Sequence, residues 1–353
     1  MKVEDSKALK EYQEKLKRAR CTGNLIDPDE SLTVRMNRIQ RAKNDVKYLV
    51  ETYLPHYATA DCADFQIAHA NKVMNDPIYK GYAEWGRGLA KSVWNDVIIP
   101  LWLWINGETH YMCIVSDTFD RACDLLEDLR AEFEANELLK HDFGEQYNPG
   151  YWEKGNFVTM NGFICKAFGA KQKVRGLRKG AHRPDLWVID DLETPQTIKN
   201  NRMQDDYADW IEADILATMT GKRRRLIGAN NRFASRMVQT LLKQRHPDWD
   251  WNLVKAYDPV TYEPAWKSMY SAQFYRQQEK DMGILAAHAE YNHVPLVKGR
   301  IFKPEMVKWG KLPDLHTMNA IVAHWDIAYA GTDTSDFNAC KIWGRHRNEF
   351  WLI

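Results

Sequence analysis

Apolar residues along this chain recur with two periods, and the two alternate. Short apolar runs with β-branched and aromatic members, YMCIVS (111–116), LWVID (186–190) and RRLIGA (224–229), predict buried strands. Between them lie segments with the helical period: DRACDLLEDLRAEFEAN (120–136), with Thr118 or Asp117 as N-cap, and NRMQDDYADWIEADILATM (201–219). FVTMNGFICKAFG (157–169) reads as a hairpin turning at Asn161–Gly162. Strands alternating with helices predict an α/β fold whose central sheet is mostly parallel and flanked by helices. The first 45 residues differ in texture. Lys and Arg interleave with Glu in SKALKEYQEKLKRAR (6–20), which predicts a helical arm appended to the rest.

Two segments carry chemistry. The turn GRGLAKS (86–92) brings small residues Gly86, Gly88 and Ala90 before Lys91 and Ser92. Small residues let the backbone approach an anion, and the apolar stretch SVWNDVIIPLWLW (92–104) places that anion at a helix N-terminus. The strict pattern G-x-x-x-x-G-K-[ST] is not met, since its glycine positions fall on Trp85 and Ala90. About 100 residues later LWVID ends in Asp190 and Asp191, paired carboxylates at a sheet edge that are costly without a cation. In this order and at this separation the two point to ATP hydrolysis. Lys91 holds phosphates, and Ser92 and Asp190 hold Mg²⁺. A third element, RRLIGANNR (224–232), ends in Asn230–Asn231, amides placed to report a γ-phosphate or orient water.

Composition narrows the class. At 353 residues the chain is too long for one compact core and predicts two domains or slightly more. A net charge of +1, from 49 Lys+Arg against 48 Asp+Glu, leaves any polyanion contact to local patches. One such patch is KQKVRGLRKGAHR (171–183), with Lys171, Lys173, Arg175, Arg178, Lys179 and Arg183 and no acid; another is Lys222–Arg225. Both suit sequence-independent contact with DNA phosphates. Six cysteines form no C-x-x-C pair and read as reduced thiols without a zinc site. The longest apolar run, VIIPLWLWI (97–105), is too short to span a bilayer, and the charged amino terminus is no signal peptide.

GRGLAKS with Arg87 four residues before Lys91, VRGLRKGAHRPDLWVIDDLE (174–193), the LIGAN segment and FYRQQEKDMGILAAHAEYNHVPLVKGRIFKPE (274–305) together resemble the large subunit of bacteriophage terminases, the motors that package DNA into procapsids. The similarity covers roughly residues 46–353. It implies a P-loop ATPase domain at 46–258 after the arm (1–45), a linker subdomain at 259–315, and from 316 the first strands of an RNase H-like nuclease that is incomplete here. In that family the glycine-rich loop is commonly a variant with an upstream arginine. By position, Asp190 holds the metal and Asp191 stands where the family has its water-activating glutamate, with Glu193 as the other candidate base. Arg87 is implied to stabilise transition-state charge, and Gly228, Ala229 and Asn230 to couple hydrolysis to movement. YLPHYATADCADFQ (53–66) is similar to the segment receiving adenine, which places Phe65 and Gln66 there. AIVAHWDIAYAG (320–331) delivers Asp326 as the first nuclease carboxylate for Mg²⁺ or Mn²⁺, followed by strands after Asp333 and Asp336 and at NEFWLI (348–353). The implied partners are double-stranded DNA, the portal protein, the terminase small subunit and further copies of the chain in a ring on the procapsid. The implied location is the bacterial host cytoplasm, away from membranes. Two other readings stay open: a helicase or other P-loop nucleic-acid motor, and a DNA-binding or assembly module whose loop does not hydrolyse.

Overall fold

A computed structural model describes residues 3–194, 196–294, 310–326, 339–347 and 349–353. The chain forms two compact units, Met1–Leu296 and Val297–Ile353.

Unit one is built on eight strands: β1 (Lys80–Trp85), β2 (Tyr111–Ser116), β3 (Trp152–Glu153), β4 (Asn156–Val158), β5 (Ile164–Gly169), β6 (Leu186–Asp190), β7 (Arg225–Ala229) and β8 (Asp250–Val254). Their order is β3-β4-β5-β2-β6-β7-β1-β8. From β5 to β8 all neighbours are parallel, and β3 and β4 add an antiparallel edge. The chain is therefore α/β with a largely parallel sheet, as its apolar periods predict. The β4–β5 hairpin turns over residues 159–163, where Gly162 takes φ 91°.

Helices cover both faces. They are α1 (Val3–Ala19), α2 (Leu32–Asn44), α3 (Val46–Tyr53), α4 (Asp64–Asn75), α5 (Ile99–Ile105), α6 (Phe119–Ala135), α7 (Glu137–Phe143), α8 (Asn201–Trp210), α9 (Leu216–Thr218), α10 (Val238–Arg245), α11 (Ala272–Met282) and α12 (Ile284–Asn292). Alternation along each strand explains the unbroken apolar runs: Met112, Ile114, Leu186, Val188 and Ile227 point to the core shared with α3–α6. Cys113, Val115, Trp187, Ile189 and Leu226 point to the other core, shared with α8 and α10. Thr118 is the N-cap of α6, its hydroxyl accepting from Arg121 N at 3.2 Å.

The predicted arm is a helix, and it is tied to the body: Lys15 pairs with Asp128 of α6 at 3.0 Å, and Tyr12 donates to Glu134. Of the linker expected at 259–315, residues 259–294 carry α11 and α12 and fall within unit one. The β5–β6 crossover has no helix. Residues 170–184 form an irregular segment of turns, with left-handed Lys171, Gly176 and Gly180, anchored to the second core by buried Val174.

Unit two carries an antiparallel meander of β9 (Ala320–Asp326), β10 (Ala339–His346) and β11 (Glu349–Leu352). Asp326 ends β9, whereas Asp333 and Asp336 lie outside the described residues. No helix among the described residues is long and apolar enough to cross a membrane.

Candidate active site

Strand β1 ends at Trp85, fully buried, with Phe65 edge-on at 4.9 Å and His69 at 5.3 Å. The first glycine position of the strict loop pattern is thus occupied by the last core residue of the strand, and the turn begins one residue later. Gly86 N donates to Val254 O at 2.9 Å, and a methyl group on Gly86 would run into the Tyr291 carbonyl oxygen. Gly88 and Ala90 take left-handed φ values of 83° and 61°. For alanine that conformation costs about 1–2 kcal/mol, so the loop is held from outside.

The holding groups are identifiable. Gln66 of α4 donates to Leu89 O at 3.1 Å, and its own oxygen accepts from Ala63 N at 2.9 Å. Asn95 donates to Lys91 O at 2.7 Å while its oxygen accepts from His69 Nε2 at 2.8 Å. Burial lowers the His69 pKa to about 4, so the ring is neutral and keeps this bond. Lys91 starts the following helix, whose residues Val93–Ile98 are wound as a π-helix, a widening frequent at functional sites.

Asp190, Asp191 and Glu193 are treated very differently by their surroundings. Asp190 is fully buried, both carboxylate oxygens lack a hydrogen-bond partner, and its pKa is pushed up to about 6. Burial is the main cause, Asp191 adds to it, and Lys91, Ser92 and Asp96 oppose it. Asp191 takes φ 47°, is half-exposed, and comes within 4.0 Å of Arg121. Glu193 is buried, accepting from Gln204 Nε2 at 3.0 Å and from Val238 N at 2.8 Å. Burial pushes its pKa up to about 7 despite both donors.

Asp96 escaped the sequence reading. It sits one helical turn beyond Ser92, is 2% exposed, and has two oxygens without partners. Burial, and next the charge of Asp190, push its pKa well up. The i, i+4 spacing from Ser92 in SVWND was the signal available.

Above these groups is a cavity of about 500 Å³, lined by the loop from Gly86 to Val93 and by Asp191, Glu193, Asn230, Asn231, Phe233 and Glu290. Glu290, from α12, clamps its rim. Its carboxylate accepts from Arg87 Nε at 2.8 Å and Asn231 Nδ2 at 3.2 Å, and its carbonyl from Arg87 N at 3.0 Å and Asn231 Nδ2 at 2.9 Å. Asn231 is one of the two amides the sequence offered for this place, whereas Phe233 and Glu290 had no role in the sequence reading.

The fold thus gathers Gly86, Arg87, Gly88, Ala90, Lys91, Ser92, Asp191, Glu193 and Asn230 around one cavity; Asp190 does not line it but is buried close to Lys91 and Ser92. Gly228 and Ala229 lie within β7 and do not line it; a methyl group on Gly228 would strike the Tyr82 ring. Behind the loop is a second cavity of about 220 Å³, lined by Tyr57, Ala60, Gln66, Ala90, Trp266 and Met269 among others. Phe65 packs on Trp85 and is not in its wall.

The basic segment lies elsewhere. Lys171 donates to Asp206 O at 2.9 Å, Arg175 pairs with Asp214, and Lys179 stands over the Tyr151 ring at 4.7 Å, whereas Lys173 and Arg178 are exposed. Glu30, His141 and Asp142 cluster at metal-ligand separations, but Arg38 bridges Glu30 and Asp142 and balances their charge.

No protein family model matches this chain, and no curated protein matches it. Among solved structures it is similar to the large terminase of bacteriophage HK97, with 13% sequence identity and a TM-score of 0.42. The match covers 82% of this chain and 62% of that one, so this chain spans less than two thirds of that protein's length.

Proposed function

We propose that this chain is a P-loop ATPase that drives double-stranded DNA along its axis, in the manner of a terminase large subunit. The observation that carries the reading is the convergence of Lys91, Ser92, Glu193 and Asn231 on one cavity, with the buried Asp190 carboxylate next to Lys91 and Ser92. Two unpaired oxygens on Asp190 beside the Ser92 hydroxyl are the hard donor set that Mg²⁺ takes, and their burial would be costly without it. Bound Mg²⁺ would neutralise charge on the terminal phosphates of ATP.

The chain's own groups do the rest. Lys91 and the loop N–H groups bind phosphate oxygens at the helix N-terminus. Glu193 takes the proton of the attacking water: its pKa of about 7 suits a base at neutral pH, and two donors fix its orientation. Asp191, expected as base from its place beside Asp190, is half-exposed and turned toward Arg121, so its part is electrostatic. Asn231 links the cavity to α12 through Glu290, a route from hydrolysis to movement. Arg87 reaches the phosphates on leaving Glu290. The apolar cavity behind the loop receives the base. In unit two, Asp326 is the first carboxylate of a nuclease metal site and by itself too little for two-metal cleavage, so plasmid incubated with Mn²⁺ should stay uncut; robust linearisation that disappears in Asp326→Ala would overturn this.

The decisive experiment is phosphate release from ATP with and without linear duplex DNA. Turnover that rises with DNA supports a motor, and strand separation measured alongside would move the reading to a helicase. Absence of turnover in both conditions sinks the ATPase.

A further inference from the structure

The sheet edge opposite the Lys91 cavity, where the parallel strands begin, is open. The segments around Met74–Pro77, Asn106–Glu108, Ala181–Asp185 and Thr220–Arg225 lead into β1, β2, β6 and β7, and all but Asp76, Gly107 and Arg224 line a cleft of about 1020 Å³, twice the volume over Lys91. The two basic segments, separate in sequence, meet here. Lys222 and Arg223 come from one, and His182 and Arg183 from the other.

The acids within the cleft are already occupied. Glu108 accepts from Arg223 at 2.9 and 3.0 Å and from Arg225 at 3.2 Å. Arg225, 1% exposed, also donates to the carbonyls of Val73, Met74, Asp76 and Glu108, which fixes three of the converging segments to one another. Asp185 accepts from the Thr109 hydroxyl and from the backbone N–H groups of His110 and Tyr111. What remains for a ligand is cationic. Arg183 and Lys222 line the cleft and are exposed, and among the described residues neither pairs with a carboxylate. His182 is held by an antiparallel backbone bridge to Lys179, and its ring stacks on His110 at 5.3 Å.

We propose that this cleft grips the phosphate backbone of duplex DNA. Its cations are spread along an open, mostly polar groove, which suits a ligand with repeated negative charge and gives an apolar small molecule little to bury. The inference rests on the motor reading above and adds where the polymer sits: on the far side of the sheet from the nucleotide. The connection is short, because β7 starts at Arg225 in the cleft and leads at its other end into Asn230 and Asn231.

The test is fluorescence anisotropy of a labelled 30-base-pair duplex titrated with the full chain between 50 and 200 mM NaCl. Each phosphate contact contributes about −0.9 to the slope of log K against log salt, so Arg183→Gln/Lys222→Gln should flatten the slope by about 2. Affinity at 100 mM salt should fall more than about tenfold. Lys222→Gln alone, expected to flatten it by about 1, keeps the test available if the double variant fails to fold. Basal ATP hydrolysis should be unchanged in both, since the two residues lie at the opposite edge. Anisotropy requires no turnover, so an inactive ATPase would count against the motor reading and not against the cleft. Unchanged affinity and slope in the variants would overturn the proposal, as would a flattening that appears instead in Lys171→Gln/Lys173→Gln. An acidic peptide that binds as tightly as DNA at equal charge would also overturn it, in favour of an acidic protein partner.

Discussion

Asp190 and Glu193 stand three positions apart, and both hold carboxyl groups away from water. Their raised pKa values fix the direction in which pH acts. A carboxyl whose folded pKa exceeds its unfolded value binds protons more tightly in the native state, so it lowers stability as pH rises between the two. For Glu193 that window runs from 4.5 to about 7 and corresponds to roughly 3 kcal/mol. Glu193→Gln should therefore raise the melting temperature at pH 8 by several degrees and leave it unchanged near pH 4, while lowering ATP turnover by about 10²-fold or more. Parent turnover should rise with pH through about 7 as Glu193 loses its proton. Asp191→Asn should retain most of the rate, and the reverse pattern in the two variants would return the role of base to Asp191. Lys91→Ala should cost about 10²–10³-fold in turnover with no loss of thermal stability, because it removes a donor aimed at charge and nothing from the core.

At the scale of elements, the loop is shaped as much by α12 as by any anion. Gly86 is required by the Tyr291 carbonyl, and Gly88 faces the Tyr270 hydroxyl, so two loop glycines are explained by packing. Gly86→Ala should force α12 away and destabilise the chain by about 1–3 kcal/mol in urea denaturation. Gly221→Ala, with nothing closer than 3.7 Å to the added methyl, should stay within about 0.5 kcal/mol. Equal midpoints for the two would show that α12 does not press on the loop. Ala90 makes the complementary point. It adopts φ 61° against its own preference because Gln66 and Asn95 hold the carbonyls on either side.

Over unit one as a whole, a largely parallel sheet separates the Lys91 cavity at the C-terminal edge of its parallel strands from a basic cleft at their N-terminal edge. If the two edges work together, duplex DNA should raise ATP turnover, and that stimulation should fade between 50 and 200 mM salt while basal turnover persists. A salt-independent stimulation would place the DNA contact on uncharged groups and count against the cleft.

Several features were determined locally and were legible in the residues. LWVID and YMCIVS are buried strands because strands covered on both faces need unbroken apolar runs. Thr118 caps α6 because its hydroxyl reaches the N–H three residues on. The order of Lys91, Asp190 and Asn230 along the chain fixed which strand ends could meet. The remaining features depended on distance in space. Nothing near Glu290 in sequence marks it as the clamp on Arg87, since the two are 203 residues apart. Asp96 reads as an ordinary acid on a helix until burial beside Asp190 removes its water. The same holds for charge: Arg175 and Arg183 lie in one basic segment, yet Asp214 takes the first and the second stands at the cleft without a carboxylate partner among the described residues. Backbone propensity and apolar period act between near neighbours, so sequence determined the elements. Desolvation and ion pairing depend on what packs from elsewhere, so only the tertiary structure decided which of the candidate groups face one another.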